Sequence, residues 1–267
     1  MLTGEDENLN LTQDDIHLWF AYDEEITDTG LINRYHDVLS SEESLRHNRF
    51  RFARHRHQFL VTRALVRSVL SFYQPDIAPR DWQFDKNEHG KPYVNTLTGN
   101  RLPIHFNLSH TEKLVVLAVG LGDAIGIDVE YNQRQSETLN IADRYFSPSE
   151  VEALFALKPE SQNERFFHLW TLKEAYIKAC GMGLAIPLDE FSFHFNRADK
   201  IAITFAPQRR DEPQHWRFWG IQPNHHHRTA VALKSSQKPA NFELSMFRIT
   251  PFAGYERLQY PFIFNSL

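Results

Sequence analysis

The chain has 267 residues, of which 42% are hydrophobic, 13% aromatic and 24% charged, a globular make-up that excludes a disordered or collagen-like chain. That length suits one large domain or two small lobes, either able to bury a core. The longest purely apolar run, residues 114–122, is about half of what a membrane-crossing helix needs. No Lys or Arg precedes Arg34 to open a secretory signal, and the lone Cys180 can form no internal disulfide, so a cytoplasmic protein without membrane partners is expected.

The net charge of −5 is unevenly placed: Glu5, Asp6, Glu7, Asp14 and Asp15 alone account for it, so residues 16–267 sum to zero. Residues 1–15 read as a solvated acidic extension. Within the neutral body, Ser40 to Arg67 holds seven Arg against two Glu, with His47, His55 and His57 added, and an anionic partner is expected there.

In chain order, Ile16 to Ala21 is a short apolar run and predicts the first strand. Ser40-Ser-Glu-Glu marks a helix start, with Ser40 or Ser41 as cap. From there to about Phe72 apolar residues recur at Phe52, Phe59, Val66 and Leu70. Arg49, Arg56, Arg63 and Arg67 form another stripe, with a break expected near Arg54. Pro75, Pro79 and Asn87-Glu-His-Gly-Lys-Pro92 punctuate the chain as turns. Strand-like runs follow at 104–108, 114–119 and 125–130. Ser147-Pro-Ser-Glu150 starts a second helical region, and a helix over about 163–180 stops at Gly181. Runs at 188–195, 201–205, 216–221 and 230–233 predict further strands. This order, helix then strands, twice over, predicts an α+β protein of two similar halves, 16–121 and 122–267.

Three segments carry chemistry. In Ile125-Gly-Ile-Asp-Val-Glu130 a period of two puts Gly126, Asp128 and Glu130 on one face, although a half-buried strand with a wet edge reads the same way. In Trp170-Thr-Leu-Lys-Glu-Ala-Tyr-Ile-Lys178 a four-residue spacing aligns Trp170, Glu174 and Lys178, with Lys173 adjacent; an ordinary helical Glu-to-Lys pair is the alternative. Should Asp128, Glu130 and Glu174 converge, their mutual repulsion would call for a cation. An all-oxygen donor set suits Mg²⁺, which works with phosphate oxygens, so a phosphate-bearing substrate is expected. Arg54, Lys91, Ser109 and His110 are available counter-charges and donors, although each taken singly reads first as a turn, strand end or solvated face. His225-His-His227 reads as an exposed loop, Cys180 as a small buried residue, and the aromatic residues from Phe252 to Phe264 as a tail packed back on the body.

The ordered set Gly90-Lys-Pro92, Phe106-Asn-Leu-Ser-His110, Gly126-Ile-Asp-Val-Glu130, Phe146-Ser-Pro-Ser-Glu150 and Trp170 to Lys178 resembles the Sfp-type 4′-phosphopantetheinyl transferases, over about 46–193. The resemblance implies a pseudo-dimeric α+β fold with the active site in the cleft between halves. It implies transfer of 4′-phosphopantetheine from coenzyme A to a serine of an apo acyl or peptidyl carrier protein, releasing adenosine 3′,5′-bisphosphate. By motif position Asp128, Glu130 and Glu174 would hold Mg²⁺. Arg54, Lys91, Ser109 and His110 would hold the adenosine and 3′-phosphate end of coenzyme A, while Lys173 and Lys178 would face its pyrophosphate. Lys178 is the expected neutraliser of the leaving phosphate, and Glu174 the expected base for the serine, directly or through water. Glu42 and Glu43 depart from the basic character expected ahead of the long helix, as does Gln58. A monomer that binds neither nucleic acid nor membrane is expected. The acidic trio also leaves open a metal-dependent phosphodiesterase or nuclease, and the motifs a non-catalytic coenzyme A or carrier-binding module.

Overall fold

A computed structural model describes residues 9, 11–95, 104–121, 124–133, 139–197, 199–235 and 242–266. Most of the acidic extension therefore lies outside the described residues. The chain forms β1 (Asp15–Ala21), α1 (Thr29–Asp37), α2 (Ser41–Arg49), α3 (Ala53–Tyr73), β2 (Gln83–Lys86), β3 (Pro92–Asn95), β4 (His105–Thr111) and β5 (Leu114–Gly120). There follow β6 (Ala124–Tyr131), α4 (Ala142–Tyr145), α5 (Pro148–Phe155), α6 (Pro159–Cys180), β7 (Phe191–Arg197), β8 (Lys200–Phe205), β9 (Trp216–Asn224) and β10 (His227–Lys234). The chain closes with β11 (Glu243–Thr250), β12 (Gly254–Leu258) and β13 (Phe262–Ser266). It is an α+β protein.

Two compact units interleave in sequence: residues 1–85, 92–121 and 242–259 make the first, and residues 86–91, 122–241 and 260–267 the second. The sequence reading places a single cut at residue 121; the structure differs because residues 86–91 join the second unit and residues 242–259 return to the first. In the first unit the sheet order is β12-β11-β1-β5-β4. β1 sits inside it, parallel to β11 (Leu18 opposite Met246) and antiparallel to β5 (Leu18 opposite Ala118). Flanked on both edges, β1 is apolar and buried from Ile16 to Ala21, apart from the polar His17. Leu60, Val61, Ala64, Leu65 and Val69 of α3 pack on Trp19, Val115, Leu117 and Phe247. The aromatic tail from Phe252 to Phe264 supplies β12 to this sheet and most of β13 to the sheet of the second unit, where Phe264 joins the core.

The helix predicted from Ser40 to Phe72 is two helices. α2 opens on a capping box in which Ser40 Oγ accepts from Glu43 N and Ser40 N donates to the Glu43 carboxylate, satisfying two otherwise orphaned amides. Phe50 and Phe52 are extended and end it, within four residues of the predicted break. Arg56 ties the corner by donating to Phe50 O at 2.7 Å.

In the second unit the order is β6-β10-β9-β13-β8-β7. α5 carries the predicted start, with Ser147 as cap, Pro148 in the first turn and Glu150 completing a capping box. α6 is largely enclosed from Phe166 on: Tyr176 touches Phe191 and Trp216 at ring separations of 4.4 and 4.6 Å. It stops at Gly181, whose φ of 69° is the left-handed conformation that costs glycine least. Of the His225–His227 run, His225 and His226 are exposed in the β9–β10 turn, but His227 is buried and bonded to Asn224 at 2.8 Å, a correction to the reading of all three as loop.

Candidate active site

The site is built on one strand and one helix of the second unit. Alternation along β6 turns Gly126, Asp128 and Glu130 to one face, and that face meets α6. A Cβ added to Gly126 would lie 2.0 Å from Ala175 O and 2.5 Å from Ala179 N, so strand and helix approach as closely as backbones can. Two residues on, Asp128 is 4% exposed and its Oδ1 accepts from Lys178 Nζ at 2.6 Å. Lys178 also donates to Ile127 O at 3.3 Å.

Between residues 166 and 179 of α6 every residue is buried except Trp170, Glu174 and Lys178. The four-residue spacing seen in the sequence is therefore one half-open stripe on an otherwise enclosed helix. Burial lifts the Glu174 carboxyl above its ordinary range, and the nearby Asp128 charge lifts it further, against the pull of Lys178. Glu130 is half-buried and lies opposite Arg228 across the β6–β10 ladder. Arg228 itself is 6% exposed and donates to Glu164 at 3.0 Å and to His227 O at 2.9 Å.

Among the described residues no group of three or more His, Cys, Asp or Glu side chains is arranged as a metal site. The donor chemistry nevertheless fits a hard cation: burial and the Asp128 charge raise the cost of ionising Glu174, and Lys178 provides the positive charge beside Asp128. Asp128, Glu174 and Glu130 are the residues that could hold such an ion.

Lys173 is a correction. It points away from the stripe, is 0% exposed, and donates to Leu188 O at 2.6 Å, Phe191 O at 2.7 Å and the Glu150 carboxylate at 2.8 Å. All three of its hydrogens are taken by core acceptors, which leaves none for a pyrophosphate. Glu150 in turn receives Phe193 N at 2.8 Å and Ser147 N at 2.9 Å. The signal for this was present: Lys173 shares a helical stripe with Leu169, Tyr176 and Cys180.

Lys91 is also placed differently from the expectation. Its Nζ donates to Ile125 O and Ala179 O, both at 3.0 Å, and burial brings its pKa down to about 8. Arg54, Ser109 and His110 belong to the first unit. Arg54 is exposed in the first turn of α3; Ser109 is 7% exposed and its neighbour His110 is exposed, as alternation along β4 requires.

The arginine stripe turns inward at its C-terminal end, at Arg63 and Arg67. Arg63 pairs with Glu43, and Arg67, 2% exposed, donates to Glu43 at 2.8 Å and to Trp82 O at 2.9 Å. Burial would lift the Glu43 carboxyl, but Arg63, the Ser40 amide and Arg67 together hold it below its ordinary range. Glu43 thus stands where a base was expected because it is both cap and counter-ion. The exposed cations of this region are Arg46, Arg49, Arg51 and Arg54.

Comparison with known proteins shows the family. Residues 124–232 match the 4′-phosphopantetheinyl transferase superfamily, and residues 30–121 match the family described as 4′-phosphopantetheinyl transferase, N-terminal. The 4′-phosphopantetheinyl transferase HetI of Nostoc sp. is 36% identical over 204 residues, covering 75% of this chain and 82% of that protein. The 4′-phosphopantetheinyl transferase Sfp of Bacillus subtilis is 36% identical over 170 residues, covering 64% of this chain and 72% of that one. The chain belongs to the 4′-phosphopantetheinyl transferase superfamily. It is an enzyme of the transferase class.

Proposed function

We propose that this enzyme moves the 4′-phosphopantetheine group of coenzyme A onto a serine of an apo acyl or peptidyl carrier protein, with Mg²⁺ required. The reading is carried by the Asp128–Lys178–Glu174 group, a pair of acids and a lysine held together on the strand and helix that approach at Gly126. The serine Oγ attacks the phosphorus that bears pantetheine, the bond from that phosphorus to the bridging oxygen breaks, and adenosine 3′,5′-bisphosphate leaves. Glu174, whose raised proton affinity suits a base, takes the serine proton. Lys178 Nζ neutralises charge growing on the departing phosphate oxygen. A divalent ion would supply charge neutralisation at the pyrophosphate oxygens, held by Asp128, Glu130 and Glu174. On this reading Arg54, Ser109 and His110 contact the adenosine and 3′-phosphate end of coenzyme A.

The test is to incubate the protein with coenzyme A, Mg²⁺ and a panel of apo carriers and weigh each carrier. Wild type should add one phosphopantetheine, whereas Asp128→Ala and Glu174→Gln, with unchanged circular dichroism, should add none. No mass gain on any carrier sinks the reading, and cleavage of a dinucleotide without a carrier would replace it with a phosphodiesterase.

A further inference from the structure

The segment Lys86–Lys91 lies, in sequence, inside the first unit but belongs to the second. It is a closed turn: Gly90, at φ 86°, donates to Asn87 O, Asn87 N donates to Lys91 O, and Asn87 Oδ1 accepts from the amides of His89 and Lys91. With its oxygen fixed in this way, the Asn87 amide presents Nδ2 to Gly181 O at 2.7 Å. Lys91 lays its stem along the same helix end, where a Cβ on Gly181 would meet Lys91 Cδ at 3.1 Å. Its Nζ then reaches Ala179 O in the last turn of α6 and Ile125 O in β6.

The last carbonyls of a helix lack intrahelical donors and carry the negative end of its dipole, so a lysine and an amide are the groups they call for. Here the same ammonium also grips the strand. Ile125 precedes Gly126, and Ala179 is one of the two residues that close on Gly126. Lys91 therefore bridges both sides of the contact that brings Glu174 and Lys178 against Asp128.

We infer that Asn87 and Lys91 form a clamp that sets α6 against β6, and that both are positioning residues for the transfer step, not ligands of coenzyme A. The inference rests on the activity proposed above. Two variants separate it from its rivals: Lys91→Met removes both bonds from Nζ, and Asn87→Asp keeps the acceptor inside the turn while losing the donor to Gly181 O. Each should lower kcat tenfold or more, leave KM for coenzyme A within threefold, and speed amide hydrogen exchange in residues 174–181.

A tenfold rise in KM for coenzyme A with kcat preserved would overturn the clamp in favour of a ligand contact. Unchanged kcat would overturn it too, as would unchanged exchange in that segment. Should Lys91→Met fail to fold, Asn87→Asp decides. A wild-type protein that transfers nothing would refute the proposed activity, and the exchange measurement, which needs no substrate, would still test the clamp.

Discussion

Replacing Gly126 by alanine probes the closest approach in the site. The new Cβ would stand 2.0 Å from Ala175 O and 2.5 Å from Ala179 N, and since Cβ atoms essentially never come within 3.0 Å, α6 must retreat by about 1 Å. Both obstacles are main-chain atoms, so no rotamer change relieves them. Overpacking of this kind costs about 1–3 kcal/mol, which for a chain of this size lowers Tm by about 2–12 °C. The kinetic effect should be larger than the stability effect. Glu174 and Lys178 ride on the displaced helix while Asp128 stays on the strand, so the 2.6 Å Lys178–Asp128 bond opens. A misplacement of about 1 Å is worth about a hundredfold in rate. The assay is carrier mass gain under saturating coenzyme A beside a thermal melt, with Gly183→Ala as control: its φ is 56° but nothing lies within 4 Å of the added carbon. That control should cost about 1 kcal/mol of backbone strain and little rate. A Gly126→Ala enzyme with kcat within threefold of wild type would refute the view that this contact positions the chemistry.

Lys173→Met should destabilise the protein by about 3–5 kcal/mol by stranding the buried Glu150 carboxylate, yet leave KM for coenzyme A unchanged in the folded fraction. Glu43→Ala should cost about 3 kcal/mol in urea unfolding because Arg67 loses its counter-ion, whereas Glu42→Ala, at an exposed position, should stay within about 0.5 kcal/mol. Burial brings His17 down to about 4 and His168 to about 3, so the unfolded chain binds their protons more readily than the folded one. Stability from these neutral histidines is full above about pH 6.5 and is lost as pH falls toward those values, by about 3–5 kcal/mol per histidine. Urea midpoints from pH 7 to 5 should fall in wild type and fall less steeply in His17→Phe.

How much of this was legible in the sequence follows from the range of each interaction. Periodicity is local, so β6, the α6 stripe of Trp170, Glu174 and Lys178, and the Ser147 and Ser40 caps could be read directly. β11 could not, since its place beside β1 depends on a parallel pairing of residues over two hundred positions apart. The partners of Lys91 and Arg67 escape the sequence for another reason. A basic side chain reads as a ligand for anions, but main-chain carbonyls compete for it, as Ile125 O, Ala179 O, Pro79 O and Trp82 O do here. Composition does not register those acceptors.

The interleaving of the two units has a consequence for synthesis on the ribosome. β1 emerges early, but its parallel neighbour β11 is made only after nearly all of the second unit. Until then the edge of β1 that β11 will occupy, with Leu18, Trp19 and Phe20 on it, lacks its final cover. A nascent chain must carry an incomplete first sheet while a later one matures, so chaperone dependence should be greatest in the interval before residue 243 leaves the exit tunnel.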